Sequence, residues 1–141
     1  MRNRAMNRFE LIDHTADIGL NAYGKDLPKA FANAAYGMFS IIADLDIVRE
    51  VETRRVEVTA DDIESLLFEW LNSLLYYFDV EMLLFNRFDI IEFGNTRLVA
   101  ECRGEVFDSS RHQVITGVKS ATYHTLEVDR KQNRVRVIFD I

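Results

Sequence analysis

A single cysteine, Cys102, leaves the chain no internal disulfide. That leans towards a reducing, intracellular setting and away from a disulfide-stapled scaffold. Proline occurs once and glycine six times, and neither a repeat nor a linker nor a low-complexity segment is present, which argues against disorder outside the termini. Positive charge is short: 17 Lys and Arg stand against 23 Asp and Glu, a formal net charge of −6. Affinity for a phosphate backbone is mostly Lys/Arg electrostatics, so no strong direct nucleic-acid binding is expected. Long apolar runs are missing too. The richest, residues 66–78, is broken by Glu69 and Asn72 and stops at Asp79, too short and too charged for a membrane span. Residues 1–8 carry three arginines with no apolar stretch behind them, which is not a signal peptide. The expectation is a cytoplasmic protein. Zinc-type Cys/His spacing, an EF-hand, a P-loop and a Gly-rich nucleotide loop are all absent, as is any Ser-His-Asp or Cys-His arrangement.

What is present is an ordinary globular balance, 48% apolar and 28% charged over 141 residues. Residues 1–141 are expected to form a single domain, large enough for a substantial core. Residues 9–12 and 18–23 read as strands. Leu20 and Ala22 point one way with Ile18; Asn21 and Tyr23 point the other. Asp26 is placed to cap a helix, with Pro28 in its first turn. Ala30, Phe31, Ala34, Ala35, Met38, Phe39 and Ile42 then recur at helical spacing. Gly37 within it costs up to about 1 kcal/mol against Ala, which close packing against a neighbour would explain.

Residues 51–59 form a strand charged on both faces, as an edge strand is. Asp61 and Glu64 have capping-box spacing ahead of a second helix. Ile63, Leu66, Leu67, Trp70, Leu71, Leu74, Leu75 and Phe78 give that helix a wide stripe, extended by Phe68, Tyr76 and Tyr77. It reads as a central core helix, buried on more than one side. Residues 84–93 and 96–107 are strands joined by a Gly94-Asn95 hairpin. In the second of them Leu98, Ala100, Cys102, Gly104 and Val106 face in, and Val99 and Glu105 face mostly out. Residues 118–128 read as one strand with His124 on the inward face. Residues 134–141 are the last strand, with Val135, Val137, Phe139 and Ile141 buried. Six or seven strands in hairpin order and two helices make an α+β fold of mostly antiparallel sheets with two packed α-helices.

Three constellations carry candidate chemistry. Asp13-His14-Thr15-Ala16-Asp17-Ile18-Gly19 packs carboxylates, an imidazole and a hydroxyl into one bend. Carboxylates suit Ca2+, Mg2+ or Mn2+, and imidazole pulls towards transition metals. The plainer alternative is that Asp13 or Asp17 caps a turn and His14 satisfies a carbonyl. At the other end Asp140 adjoins the terminal carboxylate at Ile141. Two anionic groups repel unless a cation or a basic side chain lies between them, so this is either half a metal site or an Arg/Lys-neutralised pair. Thirdly, Lys119 shares a strand face with Ala121 and Tyr123. It attracts a phosphate or a carboxylate, or is merely solvated beside the tyrosine.

Beyond single residues, Phe9-Glu-Leu-Ile-Asp-His-Thr-Ala-Asp-Ile-Gly-Leu resembles the archease family. So do Ala30-Phe-Ala-Asn-Ala-Ala with Met38-Phe39, and Leu66-Leu-Phe-Glu-Trp-Leu-Asn72. Gly104-Glu105 with Asp108 and His112, Val118-Lys119-Ser-Ala-Thr-Tyr-His124, and Val137-Ile-Phe-Asp140-Ile141 complete the pattern from end to end. The resemblance implies a small accessory protein, not an enzyme. Archeases assist the tRNA-splicing RNA ligase RtcB, promoting its guanylylation by GTP and its multiple turnover. The resemblance also implies a divalent cation, Ca2+ first and Mg2+ or Mn2+ as alternatives. Its ligands would be Asp17, Asp140 and main-chain or terminal oxygens of Ile141, with His14 and Lys119 as supporting neighbours. The fold implied is α+β, similar to part of a redox chaperone. Two other readings stay open: a metal-dependent hydrolase or nuclease using the same carboxylates, and a general chaperone or scaffold using the aromatic second helix.

Overall fold

Both helices begin on an aspartate. In the computed structural model, which describes residues 8–13 and 17–141, Asp26 and Asp62 each sit in extended backbone just ahead of a helix. Asp26 accepts the Lys29 N–H at 2.9 Å and starts α1 (Leu27–Ile42). Pro28 occupies the first turn, where its missing donor costs nothing. Asp62 accepts the Ser65 N–H at 2.7 Å and starts α2 (Ile63–Glu81). The expected cap was Asp61. A capping carboxylate must reach the N–H three residues on, and with Ile63 as the first helical residue that partner is Ser65. The bond from the Ser65 backbone also holds the Asp62 carboxyl below its ordinary range. At its far end α2 stops on Met82, which takes the left-handed conformation at φ 58°.

The strands are β1 (Phe9–Asp13), β2 (Asp17–Tyr23), β3 (Glu52–Thr59), β4 (Leu83–Phe93), β5 (Arg97–Val106), β6 (Ser120–Ala121), β7 (Glu127–Asp129) and β8 (Arg134–Asp140). One sheet runs β1-β2-β8-β6, with β7 also on β8; the other runs β3-β5-β4. All of these pairings are antiparallel. The fold is α+β, as expected.

α1 packs against β2 and β4, one strand from each sheet. Twelve of its 16 residues are buried, against seven of 19 in α2. The central helix is therefore α1, not α2. The reason is side-chain size: Ala30, Ala32, Ala34, Ala35 and Gly37 let neighbours approach from several sides. A Cβ on Gly37 would lie 2.9 Å from Phe9 Cγ and 3.0 Å from Leu20 Cδ1, so the close packing expected there is present. α2 buries Trp70 completely, its indole N–H donating to the Phe31 carbonyl at 3.0 Å, but leaves Tyr76 62% exposed.

In the smaller sheet β3 is an edge strand, as its charges suggested. Cys102 is buried, and burial pushes its thiol far up. Two β5 positions depart from simple alternation. Val99 is buried because its cross-strand neighbours Glu57 and Glu92 are bridged over it by Arg97, at 2.5 and 3.0 Å. Glu105 is buried because the following loop folds back on it, while Val106, expected inside, is half-exposed.

Residues 118–128 are not one strand. β6 and β7 both pair with β8, and residues 122–126 turn between them. Thr122 explains the break. Its backbone N–H and hydroxyl both donate to the Ile138 carbonyl, and its hydroxyl accepts the His124 N–H at 3.3 Å. A β-branched residue that looks like strand from its type here props a turn. Thr125 follows at φ 50°. His124 consequently lies exposed, not inward. On β8, Val135, Val137 and Phe139 are buried as expected. Ile141 falls past the strand end and is 40% exposed, not buried.

Candidate functional site

β2 begins with Asp17 and β8 ends with Asp140. Their antiparallel register runs Ile18↔Phe139, Leu20↔Val137 and Ala22↔Val135, apolar against apolar over α1. That same register sets Asp17 directly opposite Asp140. Directly paired residues share a face, with Cβ atoms roughly 4.5–5.5 Å apart. The start of β2 meets the end of β8 because the core pairs Leu20 with Val137, and a one-residue slip of either strand would turn its aspartate to the core face.

On its other side β8 meets β6, and Ser120 is paired with Asp140. The Ser120 hydroxyl lies 3.4 Å from Asp140 Oδ2, and the Lys119 backbone N–H donates to the Asp140 carbonyl at 2.8 Å. Asp17, Asp140 and Ser120 thus form a row across three strands at one end of the sheet. Ile141 follows directly, exposed. Lys119 is exposed as well. Tyr123, expected beside Lys119, instead stacks on Phe68 of α2, ring centroids 4.1 Å apart and 13° from parallel. Arg134, on the Asp140 face of β8, is engaged by Glu127 and by Asp129 at 3.4 Å. It is thereby committed to β7. His14 lies outside the described residues.

The row offers oxygen donors: two carboxylates, a hydroxyl and main-chain carbonyls. Such donors suit Ca2+, Mg2+ or Mn2+, and not zinc or copper. Among the described residues no group of three or more His, Cys, Asp or Glu gathers as a metal cluster. The protein side chains fit part of a hard-cation shell. Ca2+ takes six to eight oxygens, so the described side chains supply about half of such a shell. Ser120 was not among the expected site residues; its signal was only its place beside Lys119. No helix is long and apolar enough to cross a membrane among the described residues.

A second polar cluster, Glu105, Asp108, Arg111 and His112, is a clasp. Glu105 accepts His112 Nε2–H at 2.9 Å, Arg111 Nη1 at 2.9 and 2.8 Å, and the Arg49 N–H at 2.9 Å. Burial alone would raise the Glu105 carboxyl, but Arg111, the Arg49 N–H and His112 together bring it down to about 2. His112 Nδ1 accepts the Asp108 N–H at 2.9 Å, so its proton sits on Nε2, towards Glu105. Both histidine nitrogens are used up in this way, which leaves His112 structural.

Comparison with known proteins agrees with this architecture. The Archease protein family (MTH1598/TM1083) matches residues 9–141. Protein archease of Sulfurisphaera tokodaii is 42% identical over 129 residues, 91% of this chain and 93% of its own. Protein archease of Sulfolobus acidocaldarius is 37% identical over 139 residues, covering 96% and 100%. The solution structure of Methanobacterium thermoautotrophicum protein 1598 superposes with a TM-score of 0.76 at 36% identity, over 95% of this chain and 99% of that one. With the family matched along the whole β1–β8 span and the fold shared, the chain belongs to the archease protein family.

Proposed function

We propose that this protein is an accessory factor of the tRNA-splicing RNA ligase RtcB, promoting ligase guanylylation and multiple turnover without itself being a catalyst. It would act through a divalent cation, Ca2+ in the first place, held at the sheet end by Asp17, Asp140 and main-chain oxygen of Ile141. The observation that carries this reading is the register that sets Asp17 opposite Asp140. Like charges in directly opposed positions destabilise a strand pair unless a counter-charge joins them. A strand pair that keeps such an arrangement at its exposed end is suited to gripping a cation. The ligase is proposed as partner from the resemblance in sequence, and membership of the archease family supports that reading. Among the described residues the side chains fill only part of a hard-cation shell, which leaves room for a partner's groups and suits an activator. When bound, the cation would supply a fixed positive charge for an anionic group of the partner. Ser120 would orient Asp140, and Lys119 would stand exposed beside it.

Asp17→Ala and Asp140→Ala test this. Each should fold normally, lose Ca2+ binding in a calorimetric titration, and fail to stimulate ligase guanylylation. Normal stimulation by both variants refutes the proposal. Release of product from labelled tRNA halves or GTP by this protein alone would favour the hydrolase reading instead. The chaperone reading asks for a broad face of exposed rings on α2; Trp70 is fully buried and Phe68 is stacked on Tyr123, while Tyr76 is 62% exposed.

A further inference from the structure

Two sequence motifs have no part in the site as described so far, 66–72 on α2 and most of 118–124. They meet each other. Thr122 sends its backbone N–H to Ile138 on β8. Along a strand, successive residues point their N–H and C=O to alternate sides. The N–H and C=O of Ala121 therefore point away from β8, to an edge where a further strand would lie. Asn72 fills that place. Its Oδ1 accepts the Ala121 N–H at 2.8 Å, and its Nδ2 donates to the Ala121 carbonyl at 3.3 Å. One side-chain amide meets both backbone groups of one residue, as a neighbouring peptide unit does. Four residues earlier on the same helix face, Phe68 stacks on Tyr123. α2 thus grips the segment on either side of Thr122.

β6 is only two residues long, and a strand that short has little hold of its own. Yet β6 and Lys119 just before it bring two groups to Asp140: the Ser120 hydroxyl and the Lys119 backbone N–H. We propose that Asn72 is a positioning residue for the carboxylate row: by holding Ala121 it fixes β6, and through Ser120 and Lys119 it steadies Asp140, which the β2–β8 register has placed opposite Asp17. This deepens the proposed cation-dependent function and rests on that reading for its consequence, though not for its geometry. Asn72 also fits no apolar role. It sits in the mostly apolar run 66–78, where a leucine could not answer the N–H and C=O of Ala121.

The test is Asn72→Ala, with Phe68→Ala as a second variant and Leu75→Ala as a control that removes core from α2 while leaving the Asn72 amide in place. Amide exchange and chemical shifts are followed by NMR, and Ca2+ affinity by titration. Asn72→Ala should speed exchange at Ala121 at least tenfold, move the Ser120 and Asp140 resonances, and weaken Ca2+ binding about tenfold. Leu75→Ala should lower global stability at least as much while leaving Ser120, Asp140 and Ca2+ affinity unchanged. In a Ser120→Ala background, Asn72→Ala should cost less affinity than it does alone. The proposal is overturned if Asn72→Ala leaves the Ser120 and Asp140 resonances in place, or if Leu75→Ala moves them equally. A wild-type protein that binds no divalent cation, while Asn72→Ala still displaces Asp140, would remove the cation reading and leave the positioning role standing.

Discussion

Glu105→Gln should separate what holds the fold from what performs its function. The replacement is nearly isosteric. Its oxygen can keep the bonds from His112 Nε2–H and the Arg49 N–H, each 2.9 Å in the wild type. Its amide nitrogen, however, must stand where Oε2 received Arg111 Nη1 at 2.8 Å, a donor against a donor. Removing one partner of a buried ion pair costs about 3–5 kcal/mol. Arg111 keeps 28% of its side chain in solvent while Glu105 keeps 9%, so the guanidinium can rehydrate and the low end, about 3 kcal/mol, is expected. With a urea m-value of about 2 kcal/mol/M, the midpoint should fall by ~1.5 M at unchanged m. The pH dependence supplies the sign. The folded Glu105 pKa is depressed to about 2 from its ordinary 4.5. Its stabilisation is therefore full above about pH 4.5 and lost as pH falls towards about 2. The gap between wild type and variant should be present at pH 7 and close across that window. Ca2+ affinity of the folded variant should be unchanged, because the clasp makes no contact with Asp17 or Asp140. A loss under ~1 kcal/mol, or a gap that ignores pH, would refute the reasoning.

The remaining expectations concern the site and two backbone positions. Ca2+ at 100 times its dissociation constant should stabilise the wild type by about 2.7 kcal/mol, seen as a melting shift that a chelator reverses; Asp140→Asn should show no shift. Met82→Gly should stabilise by up to about 1 kcal/mol in chemical denaturation, because Met82 ends α2 at φ 58°, where a side chain is disfavoured and glycine is not. A destabilised variant would mean the Met82 side chain contributes more than its backbone costs. Gly104→Ala should destabilise by about 3 kcal/mol or more, since a Cβ there would lie 1.8 Å from the Leu84 carbonyl oxygen and a backbone atom cannot move aside cheaply. A thermal midpoint equal to wild type would show that β4 and β5 separate more readily than their pairing implies.

Local chemistry was legible in the sequence. The Asp26 cap with Pro28, the Gly94-Asn95 hairpin, the charged edge at β3 and the apolar setting of Cys102 depend on residues a few positions apart, and the chain carries that information directly. The two candidate carboxylates, Asp17 and Asp140, were also nameable from their polar surroundings and from the resemblance. Their pairing was not, because it follows from the register of β2 on β8, set by Leu20, Ala22, Val135 and Val137 in the core. The same limit explains the departures. Val118–Val128 alternation cannot reveal that β8 has room for β6 and β7 with a turn between them. The apolar richness of α2 gave no sign that the alanine-rich α1 would take the centre, since centrality depends on how closely other elements approach. Glu105 read as an outward-facing residue until the loop after β5 folded back and buried it together with His112. Asn72 looked like an interruption in an apolar run until α2 came to rest against the edge of β6. Periodicity reports which side of an element avoids water; it does not say which element arrives there, and that was decided only by the tertiary structure.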